Sequence, residues 1–375
     1  MRVYLDYAAT TPLDVDIEVL MRPYQFLPGN ASSVHREGST AKEALEEARE
    51  RLGRALGCSS RELVFTSGGT EANNQVIFGL GLARGGQIIT TAIEHSAVLA
   101  PARALEAAKR CEVTYLMPDK FGVIQPNQVL EAIKPETTLV SVMHVNNELG
   151  SIQDVRAIAE ICRAKGITFH VDAVQSLGYV PLNVLEVGCD LLTISAHKFY
   201  GPKGVGALFV RRGLEIPPIL YGGHQESGLR GGTHNVPGAV GMAFAAEKAV
   251  KLQPEESKRL TALRDSFQTM LLENPNIVLN GHPTSRSPRH VNVTALNTDG
   301  EALLMNFDLE GVAASSGSAC SAGSLEPSHV LSALGRSPDE ARASIRFSLG
   351  HDTTLGKLEF AAKAFQKALI RSSLA

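Results

Sequence analysis

Short runs of apolar residues alternate with longer amphipathic segments through the first two-thirds of the chain. Continuous apolar runs are typical of strands buried on both faces, and an apolar period of about 3.6 residues is typical of helices. The runs predict strands at 62–66, 87–91, 113–117, 139–144, 168–172, 191–195 and 206–210. The amphipathic segments predict helices at 70–83, 97–109 and 127–133, and one that carries Ile152, Val155, Ile158, Ala159 and Cys162. This alternation indicates an α/β fold with a mostly parallel sheet covered on both faces.

The pattern changes beyond about residue 250. A polar helix at 255–272 is followed by strands at 291–293 and 344–348, and by a helix that begins at Thr354. A chain of 375 residues exceeds the usual size of a single core. We therefore expect a large domain at 13–250 and a smaller α+β domain made of 1–12 and 251–375, which carries a loop at 313–324.

Charge and cysteine usage restrict the function classes. The 36 basic and 39 acidic residues are interspersed, so no basic patch favours nucleic acid, and the longest apolar runs are too short to span a membrane. The five cysteines form no C-x-x-C pair, which is typical of a reducing cytoplasm and argues against disulfides or a zinc site. We expect a cytoplasmic protein without a resident metal, in which Cys58, Cys111, Cys162 and Cys189 fill the core.

The segment 313–324 reads A-A-S-S-G-S-A-C-S-A-G-S, in which Cys320 is the single thiol. Ala, Ser and Gly have little apolar surface to bury, so we expect a mobile, solvated loop. A free cysteine is usually buried, because an exposed thiol is open to oxidation. Cys320 is therefore either a tolerated cysteine in a linker or a thiol whose exposure serves the function.

Residues with distinctive chemistry follow several predicted strands, where parallel sheets bind ligands. The first strand leads into S-G-G-T, which opens a helix at Gly69 and Thr70 and suits either a phosphate or an ordinary helix cap. Asp172 ends another strand, either as a capping residue or as a carboxylate that pairs with a cationic group. Lys198 follows a third strand, where it either reaches solvent or is desolvated, which would favour the neutral amine needed for a Schiff base.

Together these strand ends meet the requirements of pyridoxal 5′-phosphate. Lys198 would supply an amine for the aldehyde, and Asp172 would supply an acid for the ring nitrogen. The phosphate site would combine the helix start at Gly69 with Ser195 and His197. No H-E-x-x-H, P-loop or G-x-S-x-G motif competes. The joint pattern favours a pyridoxal-phosphate enzyme over the structural alternatives.

Longer motifs carry a resemblance to a known family. The chain reads Y-L-D-Y-A-A-T-T-P at 4–12, F-T-S-G-G-T-E-A-N-N at 65–74, H-V-D-A-V-Q-S at 170–176, S-A-H-K-F-Y-G-P-K-G at 195–204 and S-S-G-S-A-C at 315–320. With further motifs at 143–150, 230–233 and 345–350, it resembles the cysteine desulfurases, pyridoxal-phosphate enzymes of the class V aminotransferase family, from end to end. The resemblance implies the fold-type I architecture of aspartate aminotransferase and a homodimer.

The resemblance also implies a role for each matching position. The residues implied to contact the cofactor ring are His95, Asp172, Gln175 and Lys198, with Lys198 bonded to the cofactor and His95 also moving protons. Those implied to bind its phosphate are Gly69, Thr70, Ser195, His197 and, from the other subunit, Thr233. The residues implied to hold the substrate carboxylate are Asn147, which would also contact the cofactor, and Arg346.

The activity implied is the conversion of L-cysteine to L-alanine, with the sulfur left on Cys320 as a persulfide. The small residues around Cys320 would let one thiol reach the cofactor and then deliver sulfur to an acceptor or iron–sulfur scaffold protein. Cys320 is also a candidate transient ligand of an iron–sulfur cluster. Housekeeping members of the family extend beyond the position of Ala375 and dock the scaffold there, so the resemblance does not extend to docking in that manner.

Three other functions are compatible with the same fold. A selenocysteine lyase would use the same residues, and an aminotransferase would need no nucleophile in the 313–324 loop. A non-catalytic adaptor would not need to retain Lys198, Asp172, His95 and Cys320 together. The sequence therefore favours the desulfurase over the aminotransferase and the adaptor, and the selenocysteine lyase remains the alternative.

Overall fold

The structure is a computed structural model that describes residues 1–316 and 327–373. A two-residue strand, β1 (Val3–Tyr4), precedes the central sheet. The central sheet contains β2 (Leu63–Thr66), β3 (Gln87–Thr91), β4 (Glu112–Leu116), β5 (Thr137–Met143), β6 (Thr168–Asp172), β7 (Leu191–Ser195) and β8 (Gly206–Val210). The order across the sheet is β2-β8-β7-β6-β5-β3-β4, and β8 alone runs antiparallel to its neighbours. The predicted α/β fold with a mostly parallel sheet is confirmed.

Helices cover both faces of this sheet. They are α1 (Val15–Phe26), α2 (Arg36–Leu56), α3 (Gly69–Arg84), α4 (Ser96–Ala107), α5 (Pro126–Ala132), α6 (Val155–Lys165) and α7 (Val184–Val187). Successive strand residues point to opposite faces, so Ile88 packs with apolar residues of α3 and α4 whereas Ile89 packs with those of α2 and α6. Because both faces are buried, apolar residues occupy positions on both sides of the sheet, and this is why most of the strands were predictable.

The helix predicted through Ile152 begins three residues later. Asp154 is the N-cap of α6, and its carboxylate accepts a 3.1 Å hydrogen bond from the Ala157 N–H. Ile152 instead forms an isolated antiparallel bridge with Val145. The prediction that Ile152 belongs to the helix was therefore wrong, because an apolar residue of the preceding turn happened to match the helical period.

The rest of the chain forms a second, smaller sheet with its own helices. Its elements are α8 (Val236–Leu272), β9 (Ile277–Asn280), β10 (His290–Ala295), α9 (Gly300–Leu309), β11 (Val312–Ala313), β12 (Ser315–Ser316), α10 (His329–Ala333), α11 (Pro338–Arg342), β13 (Ser344–Ser348) and α12 (Leu355–Ser372). The antiparallel sheet has the order β12-β13-β10-β9, and β1 pairs with β11 in parallel. Its core includes an edge-to-face cluster of Phe267, Phe307, Phe347 and Phe365.

Helix α8 connects the two sheets without a break. The predicted helix at 255–272 is its second half, and Pro254 lies inside it rather than at a helix start. Its first half packs into the core of the large sheet, and its second half, including Phe267, packs into the core of the small one. The predicted domain boundary at 250/251 therefore lies within a continuous helix, and the division into two domains stays a prediction.

No helix in the ranges 1–316 and 327–373 combines the length and the apolar character that crossing a membrane requires.

Candidate active site

A cavity of about 350 Å³ lies at the carboxyl ends of β5, β6 and β7. This is the edge at which parallel sheets bind ligands. The predicted site residues that line it are Gly69, Thr70, His95, Asn147, Asp172, Gln175, Ser195, His197, Lys198 and Arg346. Residues that line it without having been predicted are Ala8, Ala9, Asn73, Ala97, Met143, Val145 and Val174. The structure therefore collects most of the predicted residues into one site.

Two predicted site residues lie elsewhere. Thr233 is exposed and is not among the residues that line the cavity in this single subunit, so its reach into a partner's site stays a prediction. Cys320 lies outside the described residues, as does the 317–324 part of the predicted 313–324 loop. The expectation of a mobile loop is therefore untested.

The start of α3 forms one wall of the cavity. Its N-cap is Gly68, which has no side chain to bind the first N–H groups of the helix. A Cβ on Gly69 would lie 2.8 Å from a methyl carbon of Val174, and a Cβ on Gly206 would lie 2.7 Å from the Gly68 Cα. The glycines let β8 and the loop after β6 pack closely against this turn. The result is an uncapped helix N-terminus that faces the cavity, which is a favourable place for an anion.

His197 lies beside this helix start. Its Nδ1 is 3.1 Å from the Thr10 Oγ1. Burial, together with the positive charges of Lys198 and Lys203, lowers the pKa of His197 to about 4. The ring is therefore neutral at pH 7, so it can act as a hydrogen-bond donor but not as a positive charge.

Asp172 ends β6 and is buried at the bottom of the cavity. Its carboxylate accepts a 2.7 Å hydrogen bond from the Asn73 Nδ2 and a 3.0 Å bond from the Val174 N–H. The sequence predicted that Asp172 would need a cationic or strongly donating partner. The partners found in the described residues are these two neutral donors. They stabilise the charged carboxylate and orient it, while a bound cation remains able to pair with it.

A second carboxyl group lies behind Asp172. Glu94 is fully buried, and its Oε1 accepts hydrogen bonds from the Thr91 hydroxyl at 2.9 Å and the Met143 N–H at 2.8 Å. Burial, with the negative charge of Asp172 adding to it, raises the pKa of Glu94 to about 8. Glu94 is therefore mostly protonated at neutral pH. The negative charge at this end of the cavity is carried by Asp172.

Lys198 follows β7 in a short 3-10 turn at Ala196–Lys198. Its Nζ donates to the carbonyl oxygens of Ala8 and Ala9 at 2.6 and 2.8 Å. The N-terminal segment thus holds the amine at the wall of the cavity, where both alanines also line the space. These contacts join residues that are far apart in the sequence, so no local sequence pattern predicts them.

His95 is the N-cap of α4 and faces the cavity. Its Nδ1 accepts a 3.1 Å hydrogen bond from the Ala97 N–H. Because Nδ1 uses its lone pair in this bond, the neutral ring carries its proton on Nε2. The geometry of the cap therefore fixes the tautomer of the histidine.

Arg346 and Asn147 also line the cavity and contact each other. The Arg346 Nη1 donates to the Asn147 carbonyl at 3.0 Å, and its Nη2 donates to Asp6 at 2.9 Å. The Arg346 Nε and the Asn147 Oδ1 are buried, and neither has a hydrogen-bond partner among the described residues. Buried polar atoms are rarely left unpaired, so these two atoms indicate that a polar ligand belongs here.

These groups fit pyridoxal 5′-phosphate. The cavity offers a lysine amine, a carboxylate for a ring nitrogen and an uncapped helix N-terminus for a phosphate. The Arg346 Nε and the Asn147 Oδ1, which lack partners among the described residues, leave polar groups available to an amino acid. In the described ranges, no group of three or more His, Cys, Asp or Glu side chains could hold a metal ion.

Comparison with known proteins identifies the class of enzyme. The sequence model of the aminotransferase class-V family matches residues 3–359, and the chain belongs to this family. Its relatives include the cysteine desulfurase IscS of Dictyoglomus turgidum, 46% identical over 98% of this chain and 94% of the relative. The cysteine desulfurase IscS of Methanosarcina thermophila is also 46% identical, over 94% of this chain and 88% of the relative.

Solved structures show the same similarity. A NifS-like protein superposes with a TM-score of 0.92 at 35% identity, covering 99% of this chain and 100% of its own. The structure of SspA in complex with cysteine superposes with a TM-score of 0.83 at 39% identity, covering 93% of this chain and 99% of its own. Fold and family therefore agree.

The sequence contained a signal for one of the residues that were missed. Asn73 lies four residues after Gly69, so on a helix it points to the same side as the helix start. A helical reading of S-G-G-T-E-A-N-N could have placed its amide at the cavity. Ala8 and Ala9 contribute backbone carbonyls, and side-chain types carry no signal for such a contribution.

Proposed function

We propose that this enzyme is a cysteine desulfurase that converts L-cysteine to L-alanine and transfers the sulfur through Cys320. The observation that carries the proposal is the pairing of two features in one cavity. One is a lysine and a carboxylate suited to pyridoxal phosphate, and the other is the unpaired polar atoms of Asn147 and Arg346. Together they fit an α-amino acid bound beside that cofactor.

The substrate carboxylate would bind Arg346. Its Nη1 and Nη2 are already engaged by Asn147 and Asp6, so the guanidinium is held in place while its Nε has no partner in the part of the chain that the structure describes. A guanidinium is always charged and binds carboxylates with defined geometry. The unpaired Asn147 amide oxygen lies on the same side and would accept from the substrate or, after rotation of the amide, donate to it.

The cofactor would be held by groups from several elements. Asp172 would pair with the ring nitrogen, His95 would face the ring, and Gln175 would contact the ring hydroxyl. The proposed phosphate ligands are Gly69, Thr70, Ser195, His197 and the partner subunit's Thr233. When bound, pyridoxal phosphate would supply an electron sink for the negative charge that develops on the substrate after the α-proton is lost.

Lys198 and His95 would move the protons. The Lys198 Nζ would take the proton from the substrate Cα, since it is held at the cavity wall by the Ala8 and Ala9 carbonyls. The His95 Nε2 would supply or accept a proton on the substrate side, because its Nδ1 is occupied by the Ala97 N–H. The two groups would thus act with their orientation already fixed.

Cys320 is the proposed sulfur acceptor, and the other cysteines are poor candidates. Cys111, Cys162 and Cys189 are buried, and Cys58 is half-buried. Burial raises the pKa of the Cys58, Cys162 and Cys189 thiols to about 12, which leaves almost no thiolate at neutral pH.

The described residues before and after Cys320 in the sequence support this proposal. The described chain before it ends in β12, where Ser315 pairs with Arg346 of the cavity. Cys320 is four positions after Ser316 in the sequence, a length of chain that spans at most about 14 Å. On the other side, the Ser328 hydroxyl donates a 2.6 Å hydrogen bond to Glu148, the neighbour of Asn147. Both ends of the segment are thus anchored beside the cavity.

The proposed sulfur transfer forms one bond and breaks another. The Cys320 thiolate attacks the substrate sulfur, so that an S–S bond forms while the bond between the substrate Cβ and sulfur breaks. The electron pair of that bond remains with the substrate, which takes up protons and leaves as alanine. The persulfide on Cys320 would then pass its outer sulfur to an acceptor thiol or to an iron–sulfur scaffold protein, where Cys320 would also be a transient ligand of the cluster.

The proposed assembly is a homodimer in the cytoplasm. Helix α1 exposes an apolar face that includes Val15, Val19 and Phe26, the last with 77% of its surface accessible. Tyr221, 86% accessible, lies in the segment that leads to Thr233. Exposed apolar surfaces of this kind mark protein interfaces, and a second copy would cover this one. The cytoplasmic location rests on cysteine usage.

The test is product formation by the protein supplied with pyridoxal phosphate, L-cysteine and a reductant. We expect equal amounts of sulfide and alanine, and their loss in both Lys198→Ala and Cys320→Ala. Cys58→Ala is the matched control, because Cys58 is a half-buried thiol whose loss should leave turnover unchanged. A yellow protein that releases neither product from cysteine would contradict the proposal, and release of alanine from selenocysteine would then favour the lyase.

A further inference from the structure

Arg289 is fully buried behind the cavity, in the loop that leads into β10 of the small sheet. Its guanidinium lies over the Tyr179 ring, with 3.7 Å between the guanidinium carbon and the ring centroid. In the described residues, no carboxylate forms an ion pair with it. Burying a cation without an anionic partner is energetically costly. The neutral groups that accept hydrogen bonds from Arg289 therefore indicate why it is buried at this place.

The two acceptors of Arg289 belong to predicted site residues. Its Nη1 donates to the Lys198 carbonyl at 3.2 Å, and its Nη2 donates to the Gln175 Oε1. The Gln175 Nε2 in turn donates to the Ala8 carbonyl at 3.0 Å, and the Lys198 Nζ donates to the same carbonyl at 2.6 Å. The four residues therefore form a closed ring of hydrogen bonds around one side of the cavity.

This ring determines which end of the Gln175 amide faces the cavity. The oxygen and nitrogen ends of an amide have nearly the same shape, so packing alone does not select between them. A guanidinium has donors and no acceptor, so the oxygen end must point to Arg289. The nitrogen end then points to Ala8 and the cavity, and it has one N–H more than the bond to Ala8 uses.

We propose that Arg289 is a positioning residue. It fixes Gln175 as a hydrogen-bond donor toward the bound cofactor, and it holds the Lys198 backbone in place beside Gln175. The inference rests on the proposed function, in which Gln175 contacts the ring oxygen of pyridoxal phosphate. A donor at that oxygen stabilises its deprotonated, electron-rich form, whereas a flipped amide would present an acceptor and repel it. The other ionisable groups whose charges act on Arg289 are Tyr179, Tyr200 and Arg346.

The test uses the full-length holoenzyme and two readouts besides activity. These are the dissociation constant of pyridoxal phosphate and the pH midpoint of the visible absorption of the bound cofactor. Arg289→Met should weaken the affinity about tenfold and raise the midpoint by about one pH unit, because a donated hydrogen bond to a charged oxygen is lost. Arg289→Lys keeps one donor and should recover part of both changes, and it replaces Arg289→Met if that variant does not fold.

The matched control is Arg286→Met. Arg286 is also buried, three residues away, but its guanidinium donates to Asn280 and His282 in the small sheet and its turn. Its loss should lower thermal stability without moving the midpoint. A double-mutant cycle with Gln175→Met tests whether Arg289 acts through the Gln175 amide. In the Gln175→Met background, Arg289→Met should cause no further shift of the pH midpoint.

Two results would overturn the inference while leaving the proposed function intact. One is an unchanged midpoint in Arg289→Met and Arg289→Lys. The other is a shift that remains undiminished in the Gln175→Met background, which would mean that Arg289 does not act through the amide. A wild-type protein that binds the cofactor and does not act on cysteine would contradict the proposed function instead, and the comparison of the variants could still be made.

Discussion

Asn73 of α3 and Asp172 of β6 are joined by a 2.7 Å hydrogen bond at the bottom of the cavity. The bond connects the helix whose N-terminus is the proposed phosphate site to the carboxylate proposed to bind the ring nitrogen. The proposed binding sites for the phosphate and for the ring nitrogen of one ligand therefore lie on two elements that are bonded to each other. The distance between the phosphate site and Asp172 is fixed before any ligand binds, which lowers the entropic cost of binding.

Replacing Asn73 should weaken cofactor binding. Asn73→Ala removes one donor from a buried carboxylate, and we expect the dissociation constant of pyridoxal phosphate to rise about tenfold. Asn73→Asp should weaken it further, because two adjacent carboxylates cannot both ionise and their shared proton competes with the ring nitrogen. Spectral titration of the apoprotein measures both, and equal affinities in the three proteins would contradict the assigned role of Asn73.

Glu94→Gln should change how stability depends on pH. The pKa of Glu94 is about 8 in the folded protein against an ordinary value of 4.5. Because the folded-state value is raised, the stabilisation is fully present below about pH 4.5 and is lost as the pH rises toward 8. Glutamine stays neutral, so the free energy of unfolding of the variant minus that of the wild type should increase by about 1.4 kcal/mol per pH unit across this window.

Denaturant unfolding at pH 5, 6.5 and 8 measures this difference for Glu94→Gln. The exposed Glu160 supplies the control, since Glu160→Gln should give a difference that does not vary with pH. A flat difference for Glu94→Gln as well would mean that Glu94 titrates in the ordinary range and carries a charge at pH 7.

Most of the large sheet was predictable from the sequence, and physical reasons explain where prediction stopped. The strands at Gln87–Thr91, Thr168–Asp172, Leu191–Ser195 and Gly206–Val210 have the bounds that were predicted. Each is buried at every position and is bounded by turn-forming or polar residues, so burial and the local pattern agree. Helix α8 was predicted only in part, because Pro254 favours a helix start locally whereas packing of both halves carries the helix through it.

The site was predictable where a side chain follows a strand, and was not where the contact is long-range. Asp172 and Lys198 could be placed at one edge because the carboxyl ends of parallel strands meet there. Arg289 comes from the small sheet and reaches Gln175 across more than a hundred positions of sequence. Nothing in the residues around Arg289 distinguishes it from a surface arginine, so its role depends on how the two sheets pack together.

Arg346→Lys should impair substrate binding more than cofactor binding. Lysine keeps the charge but loses the planar geometry that lets one group contact Asn147, Asp6 and a ligand together. We expect the KM for L-cysteine to rise about a hundredfold, because a charge-assisted hydrogen bond to a carboxylate is lost. The dissociation constant of pyridoxal phosphate should change little, and steady-state kinetics with a cofactor titration separates the two effects.

Asp6→Asn is the companion variant for Arg346. It keeps an acceptor near the Arg346 Nη2 while removing the negative charge, so it should raise KM less than Arg346→Lys does. An unchanged KM in Arg346→Lys would show that the substrate carboxylate binds elsewhere in the cavity.

Glu226 should be a main source of stability at neutral pH. Its carboxylate accepts 2.7 Å hydrogen bonds from the Arg49 Nη1 and Nη2 and a 2.9 Å bond from the Phe65 N–H of β2. Burial opposes ionisation, but the hydrogen bonds from His234, Arg49 and Phe65 outweigh it and lower the pKa of Glu226 to about 2. This carboxylate therefore ties the edge strand before Gly68 to the segment that carries Thr233.

Glu226→Gln should lower the free energy of unfolding at pH 7 by about 3–5 kcal/mol, because the buried Arg49 loses its buried carboxylate partner and keeps the exposed Glu46 at 3.8 Å. Since the folded-state pKa lies below the ordinary value of 4.5, the stabilisation is complete above about pH 4.5 and is lost as the pH falls toward 2. The difference between wild type and variant in denaturant unfolding should therefore be large at pH 7 and smaller at pH 3. Glu160→Gln, which breaks the exposed Arg156–Glu160 pair, should cost less than about 0.5 kcal/mol at either pH. Equal losses for the two variants would mean that burial adds nothing to the Arg49–Glu226 pair.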